Sequence, residues 1–96
     1  MISAAQMRAA RALAGIDQRQ LAEKASLSVP TIQRMEASEG VIRGNVDSLI
    51  KIVEALDAFG IELIGEGAVS QGSGRGVRLK VRERPEPSAD PARAAQ

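Results

Sequence analysis

Asp17-Gln18-Arg19-Gln20-Leu21-Ala22-Glu23-Lys24-Ala25-Ser26-Leu27-Ser28-Val29-Pro30-Thr31-Ile32-Gln33-Arg34-Met35-Glu36 is the stretch on which the fold turns. Asp17 is a good N-cap, because its carboxylate accepts from a free N–H of the first helical turn. Leu21, Ala22 and Ala25 then recur at three- and four-residue steps, which predicts a short helix over 18–25. Ala22 is small enough to let a second helix cross closely, and a larger side chain there forces the pair apart. The four residues Ala25-Ser26-Leu27-Ser28 form the joint, with Leu27 as a plug for the corner and Ser28 as the next N-cap. Pro30 falls in the first turn of a third segment, over about 29–37, where its missing N–H costs little. Ile32 and Met35 lie three apart on the buried side, which turns Thr31, Gln33 and Arg34 outward or obliquely. The reading is of two short helices joined by a tight corner.

Outward from this core, Met7, Ala10, Leu13 and Ala14 predict a first helix over about 4–14, capped by Ser3 and ended by Gly15, with Gln6, Arg8 and Arg11 on or near its wet face. After a loop from Glu39-Gly40 to Asn45, the residues Leu49, Ile50, Val53 and Leu56 give an apolar face to a helix over about 46–58, ended by Gly60. The core is expected to hold Leu21, Ala22, Ile32, Met35, Leu49, Val53 and Leu56. The period then changes. Ile61-Glu62-Leu63-Ile64 alternates in part and Val77-Arg78-Leu79-Lys80-Val81 alternates fully, which predicts a β-hairpin with a long loop rich in glycine and serine. Pro85 to Gln96 has little to bury and reads as a disordered tail. The organisation is a helical domain over 1–60, a hairpin over 61–82 and a tail over 83–96.

Composition narrows the function. The chain has 96 residues, with neither cysteine nor histidine, so a disulfide scaffold and a Cys/His zinc site are excluded. No acidic cluster has the spacing of a calcium loop, and no cofactor is expected. There is no nucleophile–base pattern such as GxSxG, so an enzyme is not expected. Gly72-Ser73-Gly74-Arg75-Gly76 lacks the lysine and the following helix of a phosphate-binding loop and is read as a flexible connection. No apolar run approaches the ~20 residues of a membrane span, and the cytoplasm, at the nucleoid when DNA is bound, is the expected location. Phe59 is the only aromatic residue, so stacking of unpaired bases on exposed rings is nearly excluded. Net charge is only +1, and any phosphate-binding face must be a local one.

The stretch Gln18-Arg19-Gln20-Leu21-Ala22-Glu23-Lys24-Ala25, followed by Leu27-Ser28-Val29-Pro30-Thr31-Ile32-Gln33-Arg34-Met35-Glu36, resembles the helix-turn-helix core of the Xre family, which includes the Cro and C1 phage repressors. The resemblance covers about residues 7–56. It rests on a Gln opening the second helix, a Leu-Ala pair within it, a Ser before the third, and a Thr-Ile pair ahead of the final Arg-Met-Glu. It implies a mainly α fold, a Cro/C1-type bundle of four to five helices, here followed by the C-terminal β-hairpin. It implies a transcriptional regulator whose third helix enters the major groove of an inverted-repeat operator in double-stranded DNA.

On that basis the expected DNA-binding residues are Gln18, Arg19, Ser28, Val29, Pro30, Thr31, Gln33, Arg34 and Arg43. Arg34 can fork onto guanine O6 and N7, or hold a phosphate; the alternative is a surface arginine paired with Glu36 or the backbone. Gln33 can pair with adenine N6 and N7 or touch phosphate, and Thr31 can bond phosphate or meet a thymine methyl. Val29 and Pro30 lack side-chain donors and can read only shape and methyl groups. The family role of Gln18 is to touch a phosphate and brace the recognition helix, against a plain polar first-turn residue. Arg43 is a candidate phosphate clamp, Arg19 and Arg8 weaker ones. Glu36 reads as structural, bridging toward the first helix or the loop. Arg78, Lys80 and Arg82 share one strand face, which is either a backbone contact, a solvated face or protection of a sheet edge. A homodimer is expected, because one module touches few base pairs and the hairpin carries apolar surface at Phe59, Ile61, Leu63, Val77, Leu79 and Val81. The rival reading is an antitoxin or antiactivator that holds a protein partner (a toxin, an activator or RNA polymerase) through the C-terminal region.

Overall fold

The computed structural model of the chain describes residues 2–40, 42 and 44–80. Four helices follow in order: α1 Ala4–Ala14, α2 Gln18–Ala25, α3 Val29–Glu36 and α4 Val46–Ala58. Each begins on a polar cap. The Ser3 hydroxyl accepts from the Gln6 N–H at 3.0 Å while the Gln6 side chain accepts from the Ser3 N–H at 2.8 Å. Asp17 and Gln20 repeat the same reciprocal box at 2.8 and 2.9 Å. Ser28 caps α3 and Asn45 caps α4 by single bonds to the N–H groups of Thr31 and Ser48. Gly15, with φ of 71°, stops α1 in a left-handed conformation that costs glycine nothing.

The corner between α2 and α3 is built the same way without a glycine. Ser26 stands at φ 58°, ψ 42°, and the Leu27 N–H turns back to the Ala22 carbonyl at 2.9 Å. Leu27 is half-buried against the core, as its position at the corner predicts. α2 packs on both α3 and α4, and α1 packs on α3. Met7, Leu21, Ile32, Ile52 and Leu56 are fully buried where the four helices meet. Ala22 is buried, at 2% exposure. Ile2 and Ile42 close one end of the core: the Ile42 N–H donates to the Ile2 carbonyl at 3.1 Å, and Ala4 donates to Gly40 at 3.0 Å.

Three expectations change. Leu13 is 51% exposed, because the i, i+3 row of Ala4, Met7 and Ala10 drifts about 60° round α1 at each step and has left the buried face by Leu13. In α4 the buried residues are Ile52, Ala55 and Leu56, whereas Ile50 and Val53 face outward. This helix is apolar on most of its circumference, so its period does not choose which face packs. Third, no strand occurs among the described residues, and the expected hairpin is absent from 61–80. Ile61 and Leu63 are half-buried against the helices, and Gln6 Nε2 donates to the Ile64 carbonyl at 3.0 Å. Beyond Ile64 the Glu62 carboxylate accepts from Ser70 Oγ at 2.8 Å and from the N–H groups of Gln71 and Gly72 at 2.7 and 3.3 Å. The Arg78 guanidinium donates to the carbonyls of Ala68 and Gly65 at 2.7 and 2.8 Å. The expected first strand is thus held on the helices, with its Ile64 carbonyl taken by Gln6, and an isolated two-stranded ribbon is only marginally stable in water. Val81 and the tail over 83–96 lie outside the described residues.

Candidate nucleic-acid interface

Glu36 is the one buried acidic residue among those described, and it stands at the C-terminal end of α3. Its carboxylate receives Arg11 Nε at 2.6 Å and Arg11 Nη2 at 2.8 Å, a two-pronged pair from α1. Gln18 Nε2, at the first position of α2, donates to the same carboxylate at 3.1 Å. Arg8 donates to the Glu36 backbone carbonyl. One residue therefore joins three helices and fixes how α3 is rolled against α1 and α2. Burial pushes the Glu36 carboxyl upward, but the hydrogen bonds from Arg11 and Gln18 and the charges of Arg11 and Arg8 outweigh it and hold the group below the usual carboxylate range. The Arg11 guanidinium is raised in turn, chiefly by its hydrogen bonds to Glu36. Arg11 is thus drawn into the seam, not left on the wet face where the sequence suggested it. The signal was its place four residues from Met7 and next to Ala10, at the edge of the buried line.

The opposite side of α3 is free. Pro30, Gln33 and Arg34 are exposed, and Val29 and Thr31 are half-buried. Val29 packs against the core. The Ser28 and Thr31 hydroxyls share a hydrogen bond at 2.8 Å at the start of the helix. Arg34 Nη2 reaches Thr31 Oγ1 at 3.4 Å, a long contact that leaves the guanidinium fork open. Arg34 does not pair with Glu36, which is occupied by Arg11 and Gln18. Gln18 is half-buried and spent on Glu36, so it is a brace between α2 and α3. Arg19, 80% exposed, makes only a loose pair with Glu23 at 3.7 Å. Arg43 lies outside the described residues.

No group of His, Cys, Asp or Glu residues able to hold a metal ion occurs among the described residues, and no helix there is long and apolar enough to cross a membrane. The family model described as Helix-turn-helix matches residues 7–63, more than half of the chain. No curated protein and no solved structure gives a match.

Proposed function

The chain belongs to the helix-turn-helix family of Xre, or Cro/C1, type, whose members are non-catalytic DNA-binding regulatory domains, and from that premise we propose that it is a sequence-specific transcriptional regulator that lays α3 in the major groove of an inverted-repeat operator. The observation that carries this reading is the two-sidedness of α3. Its inner edge is locked to α1 and α2 through Glu36, while Pro30, Gln33 and the unpaired fork of Arg34 stand free on a rigid element. A helix held this firmly delivers side chains to base edges with little ordering cost. Arg34 is the base-reading residue, to guanine, with Gln33 and Thr31 beside it. Ser28 and Arg19 are placed for phosphates, and Gln18 and Glu36 hold the helix at its angle.

An inverted repeat calls for two copies. The surface offered to a second copy is the outer stripe of α4, Val46, Ile50 and Val53, exposed at 71%, 49% and 42% and spaced along one helix face. Sedimentation of the DNA complex should give two chains per operator; one chain per operator overturns the dimer.

Selection from a genomic fragment library at physiological salt tests the main reading. The wild-type chain should enrich a short inverted repeat, and Arg34→Ala should lose preference at one base of each half-site by ~10-fold or more, the worth of a bidentate contact. Enrichment of no sequence by the wild-type chain overturns the reading.

A further inference from the structure

The family domain is not basic. Residues 7–63 hold seven Lys and Arg against eight Asp and Glu. Several of those cations are already engaged: Arg11 by Glu36, Lys51 by Asp47 at 3.3 Å and, loosely, Arg19 by Glu23. Affinity for duplex DNA, however, comes largely from neutralising phosphates with Lys and Arg. The positive charge lies beyond the domain. Between Glu66 and Glu83 the sequence has no acidic residue, and its described part carries Arg75, Arg78 and Lys80. All three are exposed, and none is in an ion pair among the described residues.

We propose that residues 73–80 are a second DNA-binding element, an arm that grips the phosphate backbone without reading sequence, through Arg75 and Lys80 with Arg78 at its root. This inference rests on the DNA-binding reading above and adds a separate site to it. The root is fixed on both sides. Glu62 holds Ser70, Gln71 and Gly72, and the Arg78 guanidinium spans the carbonyls of Gly65 and Ala68. Those carbonyls take none of its charge. Between the tethers at Gly72 and Arg78 runs a loop of five residues, 73–77, that carries the exposed Arg75, and Lys80 lies two residues beyond the second tether. Gly74 and Gly76 meet no neighbouring atoms and leave the arm free to shape itself to the backbone.

The experiment is a salt titration of the full chain on a fluorescent duplex of arbitrary sequence, between 50 and 200 mM salt, for the wild type and for Arg75→Gln/Lys80→Gln. Both positions are exposed and outside the helical core, and circular dichroism checks that the fold is intact. Each lost phosphate contact should flatten the plot of log affinity against log salt by about 0.9. The double variant should therefore lose ~12-fold less affinity than the wild type across that range. Its preference for an enriched operator over a scrambled one should stay within twofold. An unchanged slope overturns the arm, and does so whether or not α3 reads sequence. A flattened slope in a chain that prefers no sequence sustains the arm and overturns the operator reading instead. No binding to any duplex overturns both.

Discussion

Replacing Glu36 by Gln keeps the side chain's size and removes the charge on which Arg11, Gln18 and, through the backbone, Arg8 converge. Charge-assisted bonds to Arg11 are lost while its guanidinium stays in the seam, 21% exposed, so water rescues it only in part. The expected cost is about 1.5–3 kcal/mol in urea unfolding. The pH dependence has a fixed sign. The folded-state carboxyl titrates below the unfolded one, so its stabilisation is full above the unfolded value, near 4.5, and disappears as pH falls through the folded value. The gap between wild type and Glu36→Gln should therefore close on acidification below about pH 4.5. A gap that stays constant down to pH 2 means that the charge is not what Glu36 contributes. DNA affinity of this variant at neutral pH should also fall, because α3 loses the brace that sets its roll.

At the scale of elements, the corner and α4 teach opposite lessons. Ser26 holds a left-handed conformation that costs a non-glycine residue about 1 kcal/mol or more. Ser26→Gly relieves that strain but frees the unfolded chain, and should stabilise by roughly 0.5 kcal/mol; a loss of stability means that the Ser26 side chain has a role of its own. In α4, Ile52→Ala should cost about 2–4 kcal/mol and Val53→Ala under about 1 kcal/mol, because only Ile52 is fully buried. Equal costs would contradict the packing described. The same contrast marks what the residues themselves disclose. The starts of α1, α2 and α3 and the stop of α1 were legible, since Ser3, Asp17, Ser28 and Gly15 act locally through their own side chains or φ. The outward face of α3 was legible too, because only Ile32 and Met35 offered it a buried side. The packed face of α4 was not, since its neighbours decide among apolar residues on almost every side. Nor was the bond of Arg11 to Glu36, which joins positions 25 apart. The hairpin failed for a related reason: alternation at 77–80 describes a strand only if a partner accepts it, and the expected partner, 61–64, packs Ile61 and Leu63 on the helices and gives the Ile64 carbonyl to Gln6 instead.

For the whole molecule, the division between body and extension should fall after Ile64 and not at Gly60. Ile61 and Leu63 are half-buried against the helices, and Ile64 gives its carbonyl to Gln6, so residues 61–64 belong to the body although they carry no regular structure. Residues 65–80 are exposed throughout, and their tethers to Glu62 are surface bonds. A chain ending at Ile64 should unfold cooperatively with a stability within about 1 kcal/mol of the full chain, since almost no apolar area leaves the core. A chain ending at Gly60 gives up the three half-buried side chains of Ile61, Leu63 and Ile64 and should lose roughly 2–4 kcal/mol. For so small a domain that is a large share of the total. Truncation after Ile64 also separates the two proposed DNA elements. The chain ending at Ile64 keeps α3 and its brace, so its ranking of operator sequences should match that of the full chain while its salt dependence weakens. Altered ranking in this shorter chain would mean that the extension reads sequence as well as phosphate, and the body alone would then not account for specificity.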